Sequence, residues 1–170
     1  IFHKRCVVLK IYIGNDHGGV ALKNKIIETF APKGYEFVNL GTDTSEIVRY
    51  PYYAEQVAKH VEQDPESRGI LICSTGIGMS MAANKFKGIR AALCTDPYMA
   101  KMTRKHNNSN VLCLGGQVTG VLEALDMVEI WLTTEFEGGR HCISLGLIDE
   151  IEDKLLIKPE VTGSVMTPNR

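Results

Sequence analysis

Short apolar runs alternate along the chain with stretches of helical periodicity. VVLKIYIG (7–14), EFVNLG (36–41), ILIC (70–73), IRAALC (89–94) and NVLCLGG (110–116) read as strands. ILIC is apolar at every position, as expected of a strand covered on both faces. The stretch 19–35 sets Val20, Leu22, Ile26, Ile27 and Phe30 on one side of a helix, which Pro32 and Gly34 stop. Helical patterns follow at 52–63, about 79–86, 96–107, 119–134 and 144–156, with DPESRG as a turn before the third strand. The polar tail 157–170 carries two prolines and reads as loop, and residues 1–9 read as an extension of the first strand.

Five strand–helix units in succession imply a parallel sheet with helices on both faces. The expected fold is therefore α/β, a Rossmann-like three-layer sandwich with a five-stranded parallel sheet, in one domain over 1–156. Ligands of such sheets sit beyond the carboxyl ends of the strands. That draws attention to NDHGG, GTDTSEIVRYPYY, STGIG, TDPYM and GGQVTG, the loops after the five strands in order.

Composition narrows the classes. The chain has 170 residues, 44% hydrophobic and 23% charged, with a formal charge of −1. That is one ordinary globular domain, and the charge argues against nucleic acid or a membrane as main partner. No apolar run approaches the ~20 residues that span a bilayer. IFHKRCVVLK has neither the apolar core nor the cleavage site of a signal peptide. The five cysteines (Cys6, Cys73, Cys94, Cys113, Cys142) include no CxxC pair and suggest neither a disulfide framework nor a zinc site. A reduced, cytoplasmic chain is the expectation.

Cys73 ends a strand and enters STGIG. Glycine turns present backbone N–H groups, and a helix N-terminus adds positive potential; both favour a thiolate and an adjacent oxyanion. A small buried core thiol would give the same pattern. Asp16 and His17 precede Gly18 and Gly19, where an N-cap or an anion site would fit equally. The glycines match neither GxGxxG nor a P-loop. His106 closes a helix, a place where histidine is often a charge complement to the helix end. It could also face a ligand edge from a neighbouring unit or a second subunit. Arg140 follows a Gly-Gly turn in EFEGGRHC; it suits either solvent or a phosphate.

IGNDHGG, YPYYA, ILICSTGIGMSMAANKFKGIRAALC, HNNSNVLCLGG and TEFEGGRH together resemble the RpiB-type ribose-5-phosphate isomerases and the related galactose-6-phosphate isomerases. The resemblance runs from about Lys10 to about Leu155. It implies an aldose–ketose isomerase working through an enediolate, without metal or cofactor. It also implies a homodimer or dimer of dimers whose sites are shared between subunits. By position, Cys73 matches the catalytic base, His106 the ring-opening histidine from the partner chain, and Thr75 its helper. Ser74, Gly76, Ile77 and Gly78 match the anion hole. Asp16 and Asn107 match hydroxyl ligands, His17 and Arg140 match phosphate contacts, and Arg49 and Tyr50 stand at substrate-binding positions.

The resemblance also implies departures. Gln117 and Ser144 stand where the family usually has arginines, and Arg49 where it usually has aspartate. An unphosphorylated or differently phosphorylated sugar is therefore the alternative substrate. Two other functions fit some of the residues: a thiol hydrolase built on Cys73, His106 and Asp16, and a non-catalytic sugar-binding relative.

Overall fold

The computed structural model describes residues 8–156; the readings made for residues 1–7 and 157–170 lie outside the described residues. Strands β1 (Lys10–Asn15), β2 (Glu36–Asn39), β3 (Arg68–Cys73), β4 (Ala91–Leu93) and β5 (Val111–Gly115) form one sheet in the order β2-β1-β3-β5-β4. Every pairing is parallel, with Asn15 opposite Ile72 and Cys73 opposite Gly115 at the carboxyl edge. This is the α/β architecture expected from the alternating pattern.

Side chains alternate across the sheet with a period of two. Ile70 and Ile72 of β3 join Ile11, Ile13, Leu112 and Leu114 under helices α1 (Val20–Phe30), α4 (Pro97–Asn107) and α5 (Val121–Thr133). Leu71 and Cys73 face the other way, toward α2 (Tyr50–Gln63) and α3 (Ile77–Ala83). Strand order reverses between β1 and β3: β1 leads into a helix on one face and β3 into a helix on the other. The crevice between their carboxyl ends is where sheets of this kind bind ligands.

Element ends differ from the periodicity for local reasons. α2 starts at Tyr50 because Pro51 fits the first helical turn. α3 spans Ile77–Ala83 rather than the stretch 79–86, opened by Gly76 in the left-handed region (φ 79°). It closes where the Asn84 side chain turns to Ala91, donating to its carbonyl and accepting from its N–H, each at 2.9 Å. That amide also serves the free side of edge strand β4, whose ladder is shorter than the apolar run 89–94 suggested.

The described chain divides into two compact units after Glu137. The sheet and α1–α5 belong to the first unit. The second contains a turn at 138–140, with Gly138 and Gly139 at φ 66° and 56°, and then α6 (His141–Leu156). No helix among the described residues is long and apolar enough to cross a membrane.

Candidate active site

Three loops meet at the carboxyl edge between β1 and β3. A Cβ on Gly18 would lie 2.5 Å from Ser74 Oγ and 2.9 Å from Ser74 N, so the β1 and β3 loops touch through a bare backbone. A Cβ on Gly116 would lie 2.5 Å from the Gly18 carbonyl oxygen, which brings in the β5 loop. The amides of Gly116 and Gln117 donate to the carbonyls of Cys73 and Ser74 at 2.8 and 3.0 Å, holding the β3 loop from the other side.

Cys73 sits at the centre of this junction, 6% exposed. The Gly76 N–H donates to its Sγ at 3.1 Å, so a backbone amide within the expected anion hole is aimed at the sulfur. The Ile77 N–H donates to Thr75 Oγ1 at 3.4 Å, and the Thr75 side chain is exposed. Gly76 can be nothing larger: besides its positive φ, a Cβ would meet Leu93 Cδ1 at 2.6 Å and the Leu114 carbonyl carbon at 2.9 Å. The Tyr50 ring occupies the space over Gly78, where a Cβ would lie 2.8 Å from its Cζ. Tyr50 and its neighbour Arg49, the N-cap of α2, thus reach the same edge as Cys73.

Two further thiols, Cys94 and Cys113, are buried in the core. Burial, helped by Asp96, pushes Cys94 up to about 12, and burial pushes Cys113 upward as well, with Cys73 and Cys94 adding to it. Both stay protonated and inert at neutral pH.

Asp16 is 5% exposed, and its Oδ1 accepts from the Gly18 N–H at 2.8 Å. It caps the short turn His17–Gly19 while standing beside the crevice. His17 Nδ1 accepts from the Val48 N–H at 3.4 Å, which assigns the ring proton to Nε2.

Two residues that the sequence pattern does not single out hold the 40–49 loop. Asn15 Nδ2 donates to the carbonyls of Asp16 (2.8 Å) and Thr42 (3.0 Å). Lys23, fully buried, donates to the Thr42 carbonyl at 2.8 Å and pairs with the Asp43 carboxylate. The signal in the sequence is a lysine between Leu22 and Ile26, on the apolar side of α1.

His106 and Asn107 lie elsewhere. α4 leaves the carboxyl edge at Pro97 and runs back for eleven residues, about 16 Å, to the amino edge just before β5. There His106 Nε2 stands 3.8 Å from Glu137 Oε2, and Lys105 Nζ lies 2.5 Å from Glu137 Oε1. Within one chain, therefore, Cys73 and His106 occupy opposite edges of the sheet. Arg140 belongs to the second unit, in the turn before α6, as does Ser144 within the helix.

Known proteins match this chain along most of its length. The family model described as Ribose/Galactose Isomerase matches residues 11–148. Ribose-5-phosphate isomerase B of Escherichia coli is 46% identical over 145 residues, covering 85% of this chain and 97% of the relative. The ribose-5-phosphate isomerase B structure from Clostridium thermocellum superposes with a TM-score of 0.85 at 50% identity, covering 86% of this chain and 99% of that one. The Mycoplasma genitalium structure with bound ribulose-5-phosphate gives a TM-score of 0.83 at 38% identity, covering 86% and 97%. The strand order, the crevice around Cys73 and these likenesses agree: the chain belongs to the ribose/galactose isomerase family, a family of aldose–ketose isomerases.

Proposed function

We propose that this chain interconverts an aldose phosphate and its ketose, of the ribose 5-phosphate and ribulose 5-phosphate type, with Cys73 as the proton-transferring base. The observation that carries the reading is the sulfur at the end of β3, at the reversal of strand order, with the Gly76 N–H on it at 3.1 Å. The Cys73 thiolate takes the proton from C2 of the open-chain aldose, and the electron pair moves to form an enediolate whose negative charge rests on O1. The sulfur returns its proton to C1 while the O2 proton moves to O1. The backbone of the Ser74–Gly78 turn supplies fixed donors for the oxyanion. Asp16 takes a substrate hydroxyl, Tyr50 walls the site beside Gly78, and His17 and Arg49 meet the phosphate. The family pattern adds Arg140 as a further phosphate contact.

Ring opening needs a second proton carrier, and His106 has the right chemistry. Its place at the amino edge supports a site completed by a second copy of the chain, which would bring its His106 and Asn107 to the first copy's Cys73. Edge strand β4 supports this reading: a groove of about 270 Å³ runs beside it, lined by Leu93, Met99, Met102 and Asn107. α6 also exposes Ile143, Leu147 and Ile151 at four-residue spacing.

A second substrate reading rests on Gln117, exposed on the β5 loop, and on Arg49 at the α2 N-cap. Charge-assisted bonds to phosphate are worth about 1.5–3 kcal/mol each. Cations moved from one place to another would favour a phosphate carried differently. Turnover in D₂O tests both readings. Deuterium entering the carbon-bound position of recovered ribose 5-phosphate supports the enediolate, and no exchange with any sugar phosphate contradicts it. A kcat/KM for ribose 5-phosphate below that of a hexose phosphate or a free pentose would transfer the reading to that sugar.

A further inference from the structure

The amino edge of the sheet holds a second cavity, of about 360 Å³, lined by Arg68, Arg90 and Arg104 together with Lys87, Glu62 and Glu66. It opens at the end of the sheet away from Cys73. Volumes of this order suit small-molecule ligands.

Each guanidinium is fixed by carbonyl groups. Arg68 Nη1 donates to the carbonyls of Trp131 (2.8 Å) and Leu132 (2.9 Å), and its guanidinium lies 5.4 Å from the Trp131 ring centroid. Arg104, 5% exposed, donates through Nε to the Thr134 carbonyl (3.3 Å). Its Nη1 donates to Asn108 Oδ1 (3.0 Å) and the Ser109 carbonyl (2.5 Å). Arg90 Nε donates to the Asn108 carbonyl at 2.8 Å, and its Nη1 to that of Gly88 at 3.4 Å. These bonds orient the forks but use only part of each set of five donors. The Nη2 groups of all three have no protein acceptor among the described residues.

Glu135 acts on Arg68 and Arg104 only from a distance. Among the described residues no carboxylate comes within 4.0 Å of any of the three guanidinium groups. Glu62 and Glu66 stand exposed at the rim. Burial, followed by the charge of Arg68, brings Arg104 down to about 10, with Glu135 opposing and Arg90 adding a smaller effect. Proteins avoid placing like charges together in a partly buried cavity unless something of opposite charge enters it.

We propose that this cavity is a second ligand site, separate from the isomerase crevice, for a small phosphoryl anion with two or more negative charges. Planar guanidinium forks held in place by backbone carbonyls match the geometry of phosphoryl oxygens. The space admits a diphosphate or a phosphorylated small molecule. The assignment stands on the arginine cluster alone and does not depend on the isomerase reading.

Titration calorimetry of the full chain with inorganic pyrophosphate tests it. The expected result is saturable binding by the wild type, unchanged in His17→Asn, which alters only the carboxyl edge. Arg90→Gln weakens binding about tenfold through the loss of one charge-assisted fork. Glu66→Gln, at the exposed rim where folding is not at stake, tightens it about threefold by removing a repelling charge. If Arg90→Gln does not fold, the Glu66→Gln result decides. No binding, binding lost in His17→Asn, or binding indifferent to Glu66→Gln would overturn the proposal.

Discussion

The two edges of the sheet are built from different materials. At the carboxyl edge, between β1 and β3, the chain is backbone and glycine: Gly18 lies on Ser74, Gly116 on Gly18, Gly76 beside Leu114, and a single sulfur receives an amide. At the amino edge, long side chains do the joining. Arg68 and Arg104 reach the carbonyls at the end of α5, and Trp131 donates to Ser109 Oγ at 2.8 Å. Bare amides can follow a charge that forms during a reaction, whereas guanidinium groups anchored to helix ends fix a shape. The lesson is that substitutions at the first edge should lower turnover, whereas those in the joints of the second should cost stability and leave kcat unchanged.

The largest expected effect comes from Cys73→Ser. Replacing the thiol by a far less acidic hydroxyl should lower kcat/KM by about a thousandfold while circular dichroism and melting remain close to wild type. A large loss of stability with activity kept would erase the distinction between the edges. Gly76→Ala comes next, since it strains a backbone at φ 79° and drives a methyl group into Leu93 and Leu114. A loss of about 2–3 kcal/mol in urea unfolding is expected, accompanied by reduced turnover because the amide on Sγ moves. Trp131→Phe sharpens the comparison from the amino edge. It removes the bond to Ser109 and leaves a buried hydroxyl unpaired, costing about 1–2 kcal/mol, with kcat unchanged in the protein that remains folded.

The smallest effect concerns the loop tether. Lys23, by hydrogen bond and then by charge, holds the Asp43 carboxyl below the ordinary carboxylate range. The folded value lies below the unfolded one, so this contribution is complete above about pH 4 and is lost as pH falls through the folded value. Asp43→Asn should therefore show a smaller drop in melting temperature than wild type between pH 6 and the acid limit. An equal drop would mean that the pair contributes nothing.

How much of this was legible in the sequence follows from the same contrast. Strands and site loops were legible because both depend on local pattern. ILIC is apolar throughout, and STGIG and NDHGG combine glycines with a candidate site residue directly after a strand. The family resemblance turned an ambiguous thiol into a candidate base. The roles of Lys23 and Asn15 were hidden because their partners, Thr42 and Asp43, lie about twenty to thirty residues away in another loop. The amino-edge arginines were hidden for a stronger form of that reason: Arg68 binds carbonyls 63 and 64 positions away. The end of α4 at which His106 would act was also tertiary information, since the residues by themselves left open both a neighbouring unit and a second subunit. The start of α3 depended on the left-handed backbone at Gly76, which periodicity does not reveal.

The central claim is that Cys73 of one chain works with His106 of another, and subunit complementation tests it most directly. Cys73→Ser and His106→Asn are each expected to be inactive alone. Mixed, dissociated and reassociated, they should recover about a quarter of wild-type activity, because half of the random dimers would be mixed and each would hold one intact site. Recovery near that level is the predicted result. A mixture as inactive as its parents, with mixed dimers demonstrated by mass, would contradict the account.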